Sequence, residues 1–205
     1  IHLLTNESYP LYNRVSLPRF LQGVIVEQKV MIRDFAWHEQ RNIQLVTETM
    51  VTAINTDERV VVTDKGQHLP YDALLVATGG WANPLRVPGA QDTANIYNFV
   101  TLDDTKTIIS RMLESRTALA YGGSFISYEL CDGFAVRKLD TTWIMRGPYW
   151  LRNSLDPDGG EVVDNIAKKF GVQVIHGDEI EEVVPKNGVP AYVKTTKGRE
   201  IQADM

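Results

Sequence analysis

An α/β architecture of parallel strands with covering helices is the fold class the sequence predicts. Three observations predict it. From residue 118 to 175, strand-like and helix-like segments alternate as β-α-β-α-β with short connections, which is the order of a parallel sheet covered by helices. Within that run, Ala118-Leu119-Ala120-Tyr121 leads straight into Gly122-Gly123-Ser124 and then a helix. The two halves also share a design. Each carries a β meander with a charged turn ending in glycine, Asp64-Lys65-Gly66 and Thr196-Lys197-Gly198.

Composition bounds the rest. The chain has 205 residues, 21 Lys+Arg against 26 Asp+Glu, a net charge of −5 and 43% hydrophobic residues. Such a chain is a globule of one large domain or two small ones. Its acidic balance argues against sequence-independent nucleic-acid binding, which needs a basic footprint. One cysteine allows no internal disulfide, Cys-x-x-Cys pair or Cys-rich zinc site. The four histidines, His2, His38, His68 and His176, show no ligand spacing, so no metal is expected. No apolar run reaches the ~20 residues of a membrane span, and no signal peptide opens the chain, so the cytoplasm is the expected compartment.

The elements follow in order. Residues 1–5 read as a short buried strand. Tyr9 to Arg14 is a loop, and Pro18 permits a helix near Val15–Leu21. Residues 43–63 read as a β meander; β-branched Val60-Val61-Val62-Thr63 is one strand, and Asp64-Lys65-Gly66 turns the chain toward His68-Leu69. Ala73-Leu74-Leu75-Val76-Ala77 is a continuous apolar run, the pattern of a strand buried on both faces, ended by a turn at Thr78-Gly79-Gly80. Asp103 or Asp104 is expected to cap a helix with the stripe Thr105, Ile108, Ile109, Met112 and Leu113. A helix is expected over Phe125–Lys138 and a strand over Thr141–Met145. A second stripe follows, Val162, Val163, Ile166, Ala167 and Phe170, closed by Gly171, then the strand Val172–Ile175. Residues 180–184, 191–196 and 199–203 complete a meander, with turns at Lys186-Asn187-Gly188 and Lys197-Gly198.

The strand–glycine–helix junction carries the chemistry. It gathers backbone N–H groups and the positive end of a helix dipole at one point, which suits a pyrophosphate. Against the G-x-G-x-x-G fingerprint, Gly122-Gly123-Ser124-Phe125-Ile126-Ser127 keeps only the first glycine. Serine at the second position crowds a pyrophosphate, and serine at the third loosens helix-to-strand packing. A plain βα turn is the rival reading. No carboxylate stands at the end of the second strand to bind a ribose; Arg146 does, with Arg152 six residues on. Guanidinium groups match a 2′-phosphate, or both are solvated surface charges. Cys131 reads as a small core residue. Trp37, Trp81, Trp143 and Trp150 read as packing residues.

Taken together, several stretches resemble the pyridine nucleotide-disulfide oxidoreductase superfamily. Ser8-Tyr9-Pro10-Leu11-Tyr12-Asn13-Arg14-Val15-Ser16-Leu17-Pro18-Arg19 looks like its "P-Y-N-R-x-x-L-S-K" stretch. Leu74-Leu75-Val76-Ala77-Thr78-Gly79 resembles its "ATG" motif, and Gly122 to Glu129 its "GGGFIGLE" motif. Leu155-Asp156-Pro157 and Gly171-Val172-Gln173-Val174 match two further landmarks in order. The nearest branch holds rubredoxin and ferredoxin reductases and the flavin part of nitrite reductase large subunits.

The resemblance implies two Rossmann-like nucleotide-binding domains with β-meander insertions, the first incomplete: residues 1–100 as a partial FAD-binding domain and 101–205 as an NAD(P)H-binding domain. The family's first strand and FAD-binding glycine loop are expected before Ile1, and its returning FAD strand and interface domain after Met205. Carried over, Asn6 or Glu7 would hold the FAD ribose and Arg14 would line the flavin. Arg19 and Glu129 would form an ion pair beside it, as the catalytic pair. Val51 would contact adenine, and Ala77, Thr78 and Gly79 the FAD. Gly122, Gly123, Ser124, Phe125, Ile126, Arg146 and Arg152 would bind NADP or NAD. Residues 8–23 contain no cysteine, which disfavours disulfide or peroxide reduction through one. The implied function is an FAD-dependent NAD(P)H oxidoreductase, or a fragment of one, that passes electrons to a redox protein. A homodimer stays open. The alternatives are a truncated, non-catalytic nucleotide-binding module without flavin and a plain NADP-binding domain.

Overall fold

The computed structural model describes residues 1–187 and 189–205. In chain order its elements are β1 (His2–Leu4), α1 (Leu17–Gln22), α2 (Phe35–Glu39), β2 (Gln44–Val46), β3 (Val51–Asn55), β4 (Val60–Thr63) and β5 (His68–Pro70). There follow α3 (Leu102–Met112), β6 (Thr117–Tyr121), α4 (Phe125–Val136), β7 (Asp140–Met145), α5 (Pro157–Lys169), β8 (Gln173–His176), β9 (Ile180–Lys186), β10 (Val189–Thr195) and β11 (Glu200–Gln202). Two compact units result. The first is Ile1–Asn13 with Glu27–Trp81; the second is Arg14–Val26 with Ala82–Met205.

In the first unit, β1 and β2 form a parallel pair with His2 opposite Gln44. The meander is β3-β4-β5, so residues 44–46 belong with β1 and not with the meander expected to start at 43. Parallel pairing needs a long crossover between strands, and α2 supplies its helix, capped by the Asp34 carboxylate at 2.7 Å from the Trp37 amide. His2 and Leu3 are exposed, against the buried strand expected, because a two-stranded pair leaves its faces uncovered. The larger correction concerns Ala73–Ala77. This stretch forms no strand and is exposed; Leu75 is 87% and Trp81 84% accessible. An apolar run is buried only where flanking strands exist, and no described strand pairs with it.

In the second unit, a parallel sheet runs β6-β7-β8, with Tyr121 opposite Ile144 and Met145 opposite His176. The central strand β7 places Trp143, Ile144 and Met145 in complete burial. Ile144 and Ile175 pack against Ile180, Val183 and Val193 of the antiparallel β9-β10-β11 meander. The turn expected at Lys186-Asn187-Gly188 ends on Gly188, which lies outside the described residues.

Helix α3 starts two or three residues earlier than its acids suggested. Thr101 is the cap, and Asp104 is the reciprocal partner whose carboxylate accepts the Thr101 amide at 2.8 Å, a capping box. Helix α5 begins on Asp156, which accepts the Gly159 amide at 2.8 Å. Its inward residues are Gly160, Asp164 and Ala167, while Val162, Ile166 and Phe170 of the expected stripe are exposed.

Candidate functional site

The junction between β6 and α4 is built from the backbone outward. Gly122 has φ +135°, a conformation open to glycine and costly for other residues. Its amide bonds the Ile144 carbonyl at 2.9 Å, which ties the turn to the central strand. Ser124 is extended and begins α4. Ser127, at the third fingerprint position, is buried, and its hydroxyl accepts the Ser124 amide at 3.1 Å. The same hydroxyl lies 2.8 Å from the carbonyl oxygens of Gly122 and Ser124, which share its one proton. The serine that sequence reasoning took as loosening the packing is thus a hydrogen-bonding hub of the turn.

Three consecutive carbonyls of the turn are held from the protein side. Trp143 Nε1 donates to Gly122 O at 2.7 Å, the Leu151 amide to Gly123 O at 3.2 Å, and Trp150 Nε1 to Ser124 O at 2.9 Å. The first amides of α4 lie outside its helical ladder. A turn with its acceptors occupied and amides at a helix start has a donor set suited to an anion. Arg146 ends the region after β7, and Arg152 lies in the turn that follows; both are exposed.

Helices α1 and α4 pack closely. A Cβ on Gly133 would lie 2.6 Å from Leu21 Cδ2. Gln22 Nε2 donates to Asp132 at 2.5 Å, and Arg137 Nε donates to the Leu21 carbonyl at 3.1 Å. Arg19 is exposed on α1 and Glu129 is half-buried on α4. Among the described residues no ion pair joins them, against the pair expected; a solvated guanidinium avoids the desolvation that a buried pair requires. Burial, and then the charge of Asp132, push the Glu129 carboxyl above its usual range. Arg14 Nη1 donates to the Val100 carbonyl at 3.2 Å. Cys131 is buried and its thiol is pushed up by burial, so it is a core residue and no nucleophile.

In the first unit, the Glu7 carboxylate accepts the Tyr12 hydroxyl at 2.6 Å, which fixes an acceptor just after β1. Val51 opens β3 opposite Thr63. Ala77, Thr78 and Gly79 lie in the exposed stretch, with Gly79 at φ +67°.

The family described as pyridine nucleotide-disulphide oxidoreductase matches residues 1–205. The chain belongs to this family. It is 30% identical to a nitrite reductase [NAD(P)H] of Bacillus subtilis over 97% of this chain and 24% of that protein. It is 26% identical to an NADH-rubredoxin oxidoreductase of Clostridium acetobutylicum over 89% of this chain and 48% of that protein. The fold superposes on a putidaredoxin reductase in its covalent complex with putidaredoxin with a TM-score of 0.94, at 23% identity, over 100% of this chain and 50% of that one. The chain thus spans about a quarter to about half the length of these oxidoreductases. Within this member of the pyridine nucleotide-disulphide oxidoreductase family, the two tryptophans at the turn are what sequence reasoning missed. An indole needs a partner for its N–H when buried, but the sequence does not say which carbonyl it meets.

Proposed function

We propose that this chain is part of an FAD-dependent NAD(P)H oxidoreductase whose 101–205 portion holds the nicotinamide dinucleotide at the Gly122–Ile126 turn. One observation carries the proposal: the carbonyls of Gly122, Gly123 and Ser124 are all engaged by the protein, so the turn offers donors, not acceptors, to a pyrophosphate. Glu7, Val51, Ala77, Thr78 and Gly79 are assigned to FAD within the first unit, where the Glu7 carboxylate suits a ribose hydroxyl. Arg14, Arg19 and Glu129 are assigned to flavin contacts by their match to the family's motifs. When bound, nicotinamide supplies a hydride, and flavin accepts it and releases electrons singly. The chain's residues orient and bind. The raised Glu129 carboxyl can hold a proton more readily than a solvated one, and Arg19 supplies a fixed positive charge. A small redox protein is the proposed acceptor, as the name of the Clostridium relative states for that enzyme.

Arg146 and Arg152 favour NADPH over NADH in this proposal, because a charge-assisted bond to a 2′-phosphate contributes about 1.5–3 kcal/mol. Fluorescence titration of the chain with each nucleotide tests it. Replacing both arginines by alanine is expected to weaken NADPH by about tenfold or more, since 1.4 kcal/mol is tenfold, and to leave NADH within about twofold. Equal losses sink the 2′-phosphate assignment, and no binding of either nucleotide sinks the dinucleotide site. The exposure of Ala77–Gly79 favours a second reading, a nucleotide-binding module without flavin. Reconstitution with FAD, followed by flavin absorbance after gel filtration, separates the two.

A further inference from the structure

We propose that Trp143 and Trp150 are positioning residues for the dinucleotide: their indole N–H groups aim the amides of Gly123 and Phe125 at the pyrophosphate. The inference rests on the dinucleotide reading of the Gly122 turn. In a planar trans peptide the C=O of one residue and the N–H of the next point in opposite directions. Trp143 holds the Gly122 carbonyl at 2.7 Å, so the Gly123 N–H of the same peptide points away from β7. Trp150 holds the Ser124 carbonyl at 2.9 Å, so the Phe125 N–H is turned outward in the same way. The intervening peptide is held by the Leu151 amide on Gly123 O, and its own N–H is taken by Ser127 Oγ. The turn therefore presents two aimed donors, and at each of them a tryptophan N–H shares the carbonyl with the Ser127 hydroxyl.

The anchors are themselves rigid. Trp143 is fully buried in the central strand, and Trp150 is 9% exposed. Tyr128 packs between them, with ring centroids 6.0 Å from Trp143 and 5.3 Å from Trp150, and Phe125 meets Trp150 edge-on at 5.0 Å. An indole has one donor and no acceptor, so the hydrogen bond each ring makes to the turn needs an acceptor, and here that acceptor is a carbonyl. In this side-chain clamp the turn is oriented by bonds from beneath together with the φ of +135° that Gly122 supplies.

Trp143→Phe and Trp150→Phe keep an aromatic ring but remove the N–H with the five-membered ring that carries it. Each is expected to weaken NADPH and NADH by the same factor, about three- to tenfold for one lost hydrogen bond of roughly 1 kcal/mol, because both nucleotides share the pyrophosphate. Trp150→Phe, outside the central strand, keeps the test open if Trp143→Phe fails to fold. A merely structural role is separated by NMR of the ¹⁵N-labelled wild-type chain. On addition of NADPH, the indole N–H signals of Trp143 and Trp150 and the amides of Gly123 and Phe125 should shift along one saturation curve, while the Trp37 indole stays still. Unchanged affinity in a folded variant, or indole signals that ignore the nucleotide, overturns the clamp while leaving the dinucleotide site in place. A wild-type chain that binds neither nucleotide overturns the dinucleotide reading itself, and the clamp with it.

Discussion

Asp178 shows how one buried residue organises the second unit. Its side chain has no exposed surface, yet its carboxyl is held below the usual range. Burial alone pushes it up, but donors outweigh burial: the hydroxyls of Thr195 at 2.8 Å and Thr196 at 3.0 Å, and the amides of Glu179 at 2.9 Å and Lys197 at 3.3 Å. Arg199 Nε adds an ion pair at 3.2 Å. One carboxylate therefore ties the chain after β8 to the turn between β10 and β11. Asp204 does similar work at β6. Burial raises its carboxyl, and the amides of Thr117 and Arg116 lower it further than burial raises it. A carboxyl lowered by folding adds stability above its unfolded value of about 3.9, and that stability is lost as pH falls through the folded value. Asp178→Asn is expected to cost about 2–4 kcal/mol near neutral pH, because it orphans buried donors. The cost should shrink as pH falls below about 4, where the unfolded carboxyl takes up its proton first, and should be gone only below the lowered folded value, where the native carboxyl is protonated as well. Urea unfolding across that range reads the difference, and a cost independent of pH would count against the charged form.

At the scale of elements, helices were legible where an apolar period or a cap dominated. Helix α4 lies within the span its pattern predicted, and α5 begins on Asp156-Pro157. The roll of α5 was not legible. Its inward face includes Asp164, whose Oδ2 meets His176 Nε2 at 2.5 Å, and a polar pair turned inward is invisible to hydrophobic periodicity. In the same way the turn's glycine was read from sequence, but its tryptophan anchors were not, because they come from a neighbouring strand and a later turn. The α1–α4 contact is a third case. Glycine inside a helix ordinarily weakens it, yet Gly133, which the sequence did not single out, is the gap into which fully buried Leu21 fits. Adding side-chain atoms there overpacks a site with nowhere to relax. Gly133→Val is expected to cost about 2–3 kcal/mol, and Leu21→Ala in the same chain should recover part of it. Strict additivity of the two losses in thermal melts would mean that the residues do not share that space.

For the whole molecule, the contrast between two apolar runs is instructive. Thr142-Trp143-Ile144-Met145 and Ala73-Leu74-Leu75-Val76-Ala77 both read as strands from composition. The first is buried because β6 and β8 flank it with matched registers. The second has the same pattern but no described strand beside it, and no backbone hydrogen bond holds residues 73–81 among the described residues. Strand pairing is non-local, so the run states a capacity for burial, and its neighbours decide whether that capacity is used. Amide exchange resolves the two situations directly, since protection follows hydrogen bonding and burial. Residues 73–81 should exchange at nearly unprotected rates, while the amides of β7, bonded on both sides, should be among the slowest in the chain. Protection of 73–77 approaching that of β7 would mean that the run is paired as a strand in solution. Its exposed side chains, Leu75 and Trp81 foremost, would then have to be buried against a surface that also supplies the missing ladder.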